Sequence, residues 1–252
     1  MIRPFVAALV ALLSVHAGNL RAAEVLVAVA ANFIGAAEAL QPMFERETGH
    51  RLVLITGSTG KLHAQISHGA PYEVLLSADA ATPARLETEG QGVAGTRFTY
   101  ALGRLALWSA DPERITGDGG AVLTDPTIQH IAIANPELAP YGAAARETLR
   151  SLGLWESVQT RLVMGENVGQ TQSFVATGAA EVGFVAYSAV LTDRARGGGS
   201  HWEVPASLYQ PIRQDAILLR RGADNPAATD FLGFLASPAA VQSIRDHGYG
   251  VE

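Results

Sequence analysis

A chain of 252 residues, 48% apolar and 17% charged, has an ordinary globular composition and can bury a substantial core, as one large domain or two modest lobes. It has no cysteine, so no disulfide supports it, and a formal net charge of −6 argues against a nucleic-acid partner. No low-complexity tract or internal repeat interrupts it.

Met1-Ile2-Arg3-Pro4 is basic, and Phe5 to Val15 is almost wholly apolar. This reads as a secretory signal peptide, because the apolar run is too short to span a bilayer comfortably and Ala17, Ala22 and Ala23 offer cleavage points. A cut near Ala22 or Ala23 removes residues 1–23 and with them Arg3 and Arg21. The 18 basic residues then become 16 against 24 acidic ones, a mature net charge of −8. Export without disulfides suits a bacterial periplasm. An acidic chain repels an anion at long range, so anion recognition would need a local set of donors.

Val25 to Ala31 reads as a buried strand, and Ala31-Asn32-Phe33 opens a helix with Phe33, Ala37, Leu40 and Phe44 on one face. Asn32 stands where an N-cap would. Pro42 predicts a break or kink near Gln41, and Gly49 a stop. After a strand from His50 to Ile55 comes the small-residue loop Thr56-Gly57-Ser58-Thr59-Gly60-Lys61-Leu62, then a helix to His68 with Gly69 as its stop. Amides at that helix start have no acceptor inside the helix, and two hydroxyls stand beside them, which makes a seat for an anion. The loop does not match a nucleotide P-loop, because Gly57 and Gly60 are too close and Leu62 stands in place of the magnesium-binding hydroxyl. Taken alone, it fits a simple turn in which Ser58 or Thr59 caps the helix.

Val74 to Ser77 is strand-like, and Thr82-Pro83 reads as the N-cap and first residue of another helix. Arg97 to Ser109, long and partly alternating, predicts a strand pair that crosses into a second lobe. His130 to Ala134 is a strand; Pro140-Tyr141-Gly142 precedes a helix from Ala143 to Ser151, which Gly153 terminates. The logic then repeats: Arg161 to Met164 is a strand, Glu166-Asn167-Val168 a turn, Gly169 to Ala176 a helix and Val182 to Tyr187 a strand. Gly197-Gly198-Gly199-Ser200 reads as a flexible surface loop. Ala216 to Leu219 returns to the first lobe, and helices at Pro226 to Leu235 and Pro238 to His247 close the chain. The alternation predicts an α/β fold of mostly parallel sheets with helices on both faces. Its helix starts would gather at the carboxyl edge of the strands, the usual ligand crevice.

Catalysis gets little support, since no Gly-x-Ser-x-Gly, His-Glu-x-x-His or Gly-x-Gly-x-x-Gly occurs. His50, His63, His68, His130, His201 and His247 are scattered without ligand spacing. Asp79, at a strand end, could act as acid or base, but it lacks a sequence partner and suits a cap or turn better. What remains is a set of neutral donors at four strand-to-helix corners: Asn32, Ser58 with Thr59, Tyr141, and the amide of Val168. Neutral donors in a desolvated cleft suit a fully deprotonated oxyanion, whose oxygens are all acceptors.

These stretches resemble the periplasmic molybdate-binding proteins of ABC transporters. The likeness lies in Val-Ala-Ala-Asn-Phe at the first helix, Gly-Ser-Thr-Gly-Lys-Leu-His-Ala-Gln-Ile at the second, Leu-Leu-Ser-Ala-Asp, Ala-Asn-Pro-Glu with Ala-Pro-Tyr-Gly, Glu-Asn-Val and the final His-Gly-Tyr-Gly. It runs over nearly the whole exported chain. The resemblance implies a type II periplasmic binding fold, with lobe 1 at residues 24–102 and 212–252 and lobe 2 at 103–211, joined by two crossover strands. It implies a monomeric carrier rather than an enzyme, without cofactor or direct cation ligands. Its partners would be molybdate or tungstate and a membrane permease.

Carried over by position, the family's ligand contacts fall at Asn32, at Thr59 with Ser58 beside it, at Tyr141 and at Val168. Ala31 stands where some members have a hydroxyl residue, so it can donate only its amide. A tyrosine that other members place after the Gly-Phe-Val strand is replaced by Ala186, with Tyr187 one step out of phase, which leaves Tyr141 to supply the phenol. Selectivity would then rest on cavity size, molybdate and tungstate being alike in radius and larger than sulfate. The alternatives are a carrier for another tetrahedral oxyanion such as sulfate, or a secreted α/β hydrolase with the Ser58-Thr59 corner as oxyanion hole.

Overall fold

A computed structural model describes residues 22–195 and 198–252. The signal-peptide reading of residues 1–21 and Gly197 of the expected surface loop lie outside the described residues.

Strand β1 (Glu24–Ala30) is buried on both faces from Val27 onward, as a near-continuous apolar run requires of a central strand. A single 3-10 turn, Ala31–Phe33, leads into helix α1 (Ile34–Thr48). Phe33, Ala37, Leu40 and Phe44 are all fully buried, so the helical period places one apolar stripe inward. The helix does not break at Pro42. The ring forfeits only the bond to the Glu38 carbonyl, and Leu40 and Phe44 anchor the inner face on either side of it. Gly49 ends the helix at φ 74°. Asn32 does not cap it, for its side chain turns elsewhere.

The chain continues through β2 (Arg51–Gly57), α2 (Thr59–Ser67), β3 (Val74–Leu76), α3 (Ala81–Thr88) and β4 (Phe98–Gly103). A second run comprises β5 (Leu105–Ser109), α4 (Gly119–Thr124), β6 (Ile131–Ala134), α5 (Pro140–Ser151), α6 (Trp155–Val158), β7 (Leu162–Gly165), α7 (Val168–Ala176), β8 (Val182–Ala186), α8 (Tyr187–Ala195) and β9 (Ser200–Glu203). Strand β10 (Ile212–Leu218) returns, and α9 (Pro226–Leu235) and α10 (Pro238–Asp246) follow it. Among the described residues, no helix is long and apolar enough to cross a membrane.

Two five-stranded sheets result, ordered β2-β1-β3-β10-β4 and β7-β6-β8-β5-β9. Arg104 alone separates β4 from β5, and residues 204–211 separate β9 from β10, so the chain passes between sheets twice. Strand β1 runs parallel to β2 and β3, and β6 to β7 and β8. Strand β10 is antiparallel to β3 and β4, as β5 is to β8 and β9. The sheets are therefore mixed: strand-helix-strand units supply the parallel part, and the strands that link the lobes enter against it.

Two local expectations change. Helix α5 begins at Pro140, the first-turn position proline favours, so Tyr141 lies inside the helix and not before it. Thr82 is not the cap of α3; the Asp79 carboxylate accepts from the Thr82 amide at 2.7 Å and from its hydroxyl at 3.1 Å. Helices α1, α9 and α10 cover one face of the first sheet, where Phe44 meets Phe231 edge-on at 5.3 Å. Helices α2 and α3 cover the other face, and the second sheet has its own core around Ile133, Leu149 and Phe184. Each such buried side chain contributes about 1.5–3 kcal/mol.

Candidate functional site

Four chain corners meet where the two sheets face each other: Ala31–Asn32 before α1, Ser58–Thr59 at α2, Ala139–Tyr141 at α5 and Asn167–Val168 at α7. They wall a small cavity of ≈ 10 Å³, about the room one water needs. All six residues singled out in the sequence, Ala31, Asn32, Ser58, Thr59, Tyr141 and Val168, belong to that wall, and among the described residues no charged side chain does. The amides of Thr59, Tyr141 and Val168 fall in first turns and have no acceptor inside their own helices. Three helix N-termini add positive potential where no formal charge stands.

The side chains divide into those already engaged and those left over. Ser58 holds the extended backbone of an N-cap, at φ −70° and ψ 148°, yet makes no capping bond, and its buried Oγ has no partner. The neighbouring Thr59 Oγ1 accepts from the Ala78 amide at 3.1 Å and so ties α2 to the exit of β3. Of the two hydroxyls, only that of Ser58 has no partner at all; Thr59 Oγ1 accepts and keeps its proton to donate. Tyr141 is likewise buried, and its hydroxyl proton finds no acceptor. Burial pushes the Tyr141 phenol well above its usual range, an effect that the adjacent Asn32 side chain opposes only weakly, so it stays a protonated donor. A methyl group on Gly103, at the end of β4, would lie 2.4 Å from that oxygen, so the glycine makes room for the phenol.

Asn32 behaves differently from a free donor. Its Nδ2 donates to Gln214 Oε1 at 2.8 Å and toward the Tyr249 hydroxyl oxygen at 3.4 Å, which leaves its backbone amide for the cavity. Tyr187 has its ring beneath the Arg104 guanidinium at 4.2 Å, and its amide donates to the Arg104 carbonyl, so that strand end offers no phenol to the cavity.

Residues beyond the six complete the wall, among them Ala78, Pro140 and Asn167. The Asn167 side chain caps α7 by accepting from the Gln170 amide at 3.0 Å, while Gln170 Oε1 accepts from the Glu166 amide at 2.6 Å. An Asn-x-x-Gln spacing is the sequence signal for such a cap, with Gln170 taking the amide one residue before the capping Asn167.

The lobes touch directly beside the cavity. The Gly60 amide donates to the Leu138 carbonyl at 2.9 Å, and Lys61 Nζ lies 2.5 Å from Glu166 Oε1. Gly60 and Lys61, which a P-loop would spend on phosphate, serve here at the junction between lobes. Asp79 stands outside the wall; burial raises its carboxyl above the ordinary value, against bonds from Thr82 and Ser77 that lower it.

The family model for bacterial extracellular solute-binding proteins matches residues 25–250. The chain is 51% identical to the molybdate-binding protein ModA of Azotobacter vinelandii over 232 residues, which is 92% of each chain. It is 48% identical to ModA of Rhodobacter capsulatus over 92% of this chain and 90% of that one. A solved structure of the Azotobacter vinelandii periplasmic molybdate-binding protein superposes with a TM-score of 0.87 at 42% identity, covering 90% of this chain and 99% of the other.

Proposed function

Because the chain belongs to the family of bacterial extracellular solute-binding proteins, we propose that it captures molybdate, and tungstate with it, between two lobes and delivers it to an ABC permease. It works in the periplasm as a monomer, as a carrier rather than an enzyme. The lobes are residues 24–102 with 212–252, and 103–211. The ligand contacts are the backbone amides of Ala31, Asn32, Thr59, Tyr141 and Val168, together with the hydroxyls of Ser58 and Tyr141.

The observation that carries this reading is the pair of buried, unpartnered hydroxyls, Ser58 Oγ and Tyr141 Oη, on residues that wall an uncharged cavity. A buried donor without an acceptor costs about 1–3 kcal/mol, and oxyanion oxygens supply acceptors for such donors at once. A neutral ring also matches a fully deprotonated dianion, because it contains no carboxylate to hold a ligand proton. Closure of the lobes couples occupancy to presentation at the membrane, a hinge-type switch.

Calorimetric titration of the mature protein with molybdate, tungstate, sulfate and phosphate tests this. Molybdate and tungstate should bind alike, and sulfate and phosphate far more weakly. Sulfate binding as tight as molybdate would overturn the size selectivity and favour a general oxyanion carrier.

A further inference from the structure

Tyr249 follows α10 near the end of the chain, 217 residues from Asn32, yet its hydroxyl donates to the Asn32 carbonyl at 2.6 Å. Asn32 Nδ2 points back at the same oxygen at 3.4 Å. A phenol has one proton, already given to Asn32, so the contact at 3.0 Å has Ser188 Oγ as its donor, and the same Oγ stands 3.5 Å from the Asn32 carbonyl. Ser188 lies in the first turn of α8, which follows the second sheet's β8, whereas Asn32 follows β1 of the first sheet. The line Ser188–Tyr249–Asn32 therefore runs from one lobe to the other behind the cavity wall.

The tail that carries Tyr249 has little freedom. Its ring is buried and meets Phe33 edge-on at 5.2 Å. Gly250 exchanges two backbone hydrogen bonds with Leu102 on β4, and a methyl on Gly248 would stand 2.5 Å from Leu191 of α8. Burial pushes the Tyr249 hydroxyl up to about 12, so it remains protonated, and a donor, across the physiological range.

A ring of donors separates two anions by radius only if the donors hold their places to within a fraction of an ångström. Asn32 is gripped at both carbonyl and side chain by groups 217 and 182 residues away that do not line the cavity. We infer that Tyr249 is a positioning residue for the oxyanion site: it sets the Asn32 peptide in the donor ring, links that setting to lobe closure through Ser188, and so helps to reject the smaller sulfate. This rests on the molybdate reading above.

The test is titration of Tyr249→Phe, Ser188→Ala and the double variant with molybdate and with sulfate, alongside unfolding of each ligand-free protein. Tyr249→Phe should weaken molybdate about tenfold, because releasing the Asn32 carbonyl lets one donor of the ring drift, and should narrow the preference over sulfate. Ser188→Ala should act in the same direction, and the double variant should lose less than the product of the two, since both cut one line. Molybdate affinities within about twofold of wild type for both single variants would overturn the inference. So would equal weakening of molybdate and sulfate, which is what a merely structural tyrosine predicts. Should Tyr249→Phe not fold, Ser188→Ala carries the test by itself. A wild-type protein that ignores molybdate would instead sink the functional reading, and this inference with it.

Discussion

Ser58 and Thr59 are adjacent hydroxyl residues in opposite circumstances, and removing each hydroxyl separates binding from stability. Ser58 Oγ is buried without a partner, so Ser58→Ala breaks no hydrogen bond in the ligand-free protein. It also relieves a desolvated hydroxyl, and the unfolding free energy should stay level or rise by up to about 1 kcal/mol. With a dianion bound, the same change deletes a charge-assisted hydrogen bond worth about 1.5–3 kcal/mol, or about 12- to 150-fold in Kd. Thr59→Val keeps the shape but strips the acceptor from the Ala78 amide, which bonds Thr59 Oγ1 at 3.1 Å. It should destabilise the ligand-free protein by about 1–3 kcal/mol through that unmet buried amide. Urea unfolding without ligand and calorimetric titration with molybdate measure the two quantities. The reasoning is refuted if Ser58→Ala destabilises the ligand-free protein by more than about 1 kcal/mol, or binds molybdate within about twofold of wild type.

Three further outcomes follow from the same geometry. Gly103→Ala puts a methyl 2.4 Å from Tyr141 Oη and 2.9 Å from Gln214 Nε2. The phenol must move, and molybdate affinity measured by calorimetry should fall by at least about tenfold. The Lys61–Glu166 pair joins the lobes with side chains 49% and 45% exposed, so Lys61→Met should weaken binding no more than about fivefold. Added salt should bring the wild-type affinity toward that of the variant, and a gap that persists at high salt argues against an ionic role. Burial raises the Asp79 carboxyl above 3.8, so the folded protein holds that proton more tightly than the unfolded chain does. The associated stability is present below the unfolded value and is lost as pH rises through the folded one. Asp79→Asn, whose Oδ1 can still accept from Thr82, should gain on wild type over that window in urea titrations from about pH 3 to pH 7.

Much of this architecture is legible in local pattern. The inward stripe Phe33, Ala37, Leu40, Phe44 follows from helical period, the strand pair from Arg97 to Ser109 from its apolar length, and the two closing helices from their leading prolines. Asn32, Ser58, Thr59, Tyr141 and Val168 could be singled out as candidates because each sits at a strand-to-helix corner, where unpaired amides are a property of the backbone, whereas Ala31 came from the resemblance; all six fall in the cavity wall. Helices α4 and α6, of 6 and 4 residues, carry too few to show a period.

Tertiary packing decided which donors stay free. Nothing around Ser58 and Thr59 says which hydroxyl oxygen is already engaged; that depends on Ala78, whose amide is brought within 3.1 Å at the exit of another strand. Asn32 reads as a cap, but Gln214 and Tyr249, 182 and 217 residues away, take its side chain and carbonyl. Hydrogen bonds within a few residues leave a spacing in the sequence, because the chain itself holds donor and acceptor near each other. Bonds across such separations leave none, because only the packed sheets bring those partners within reach.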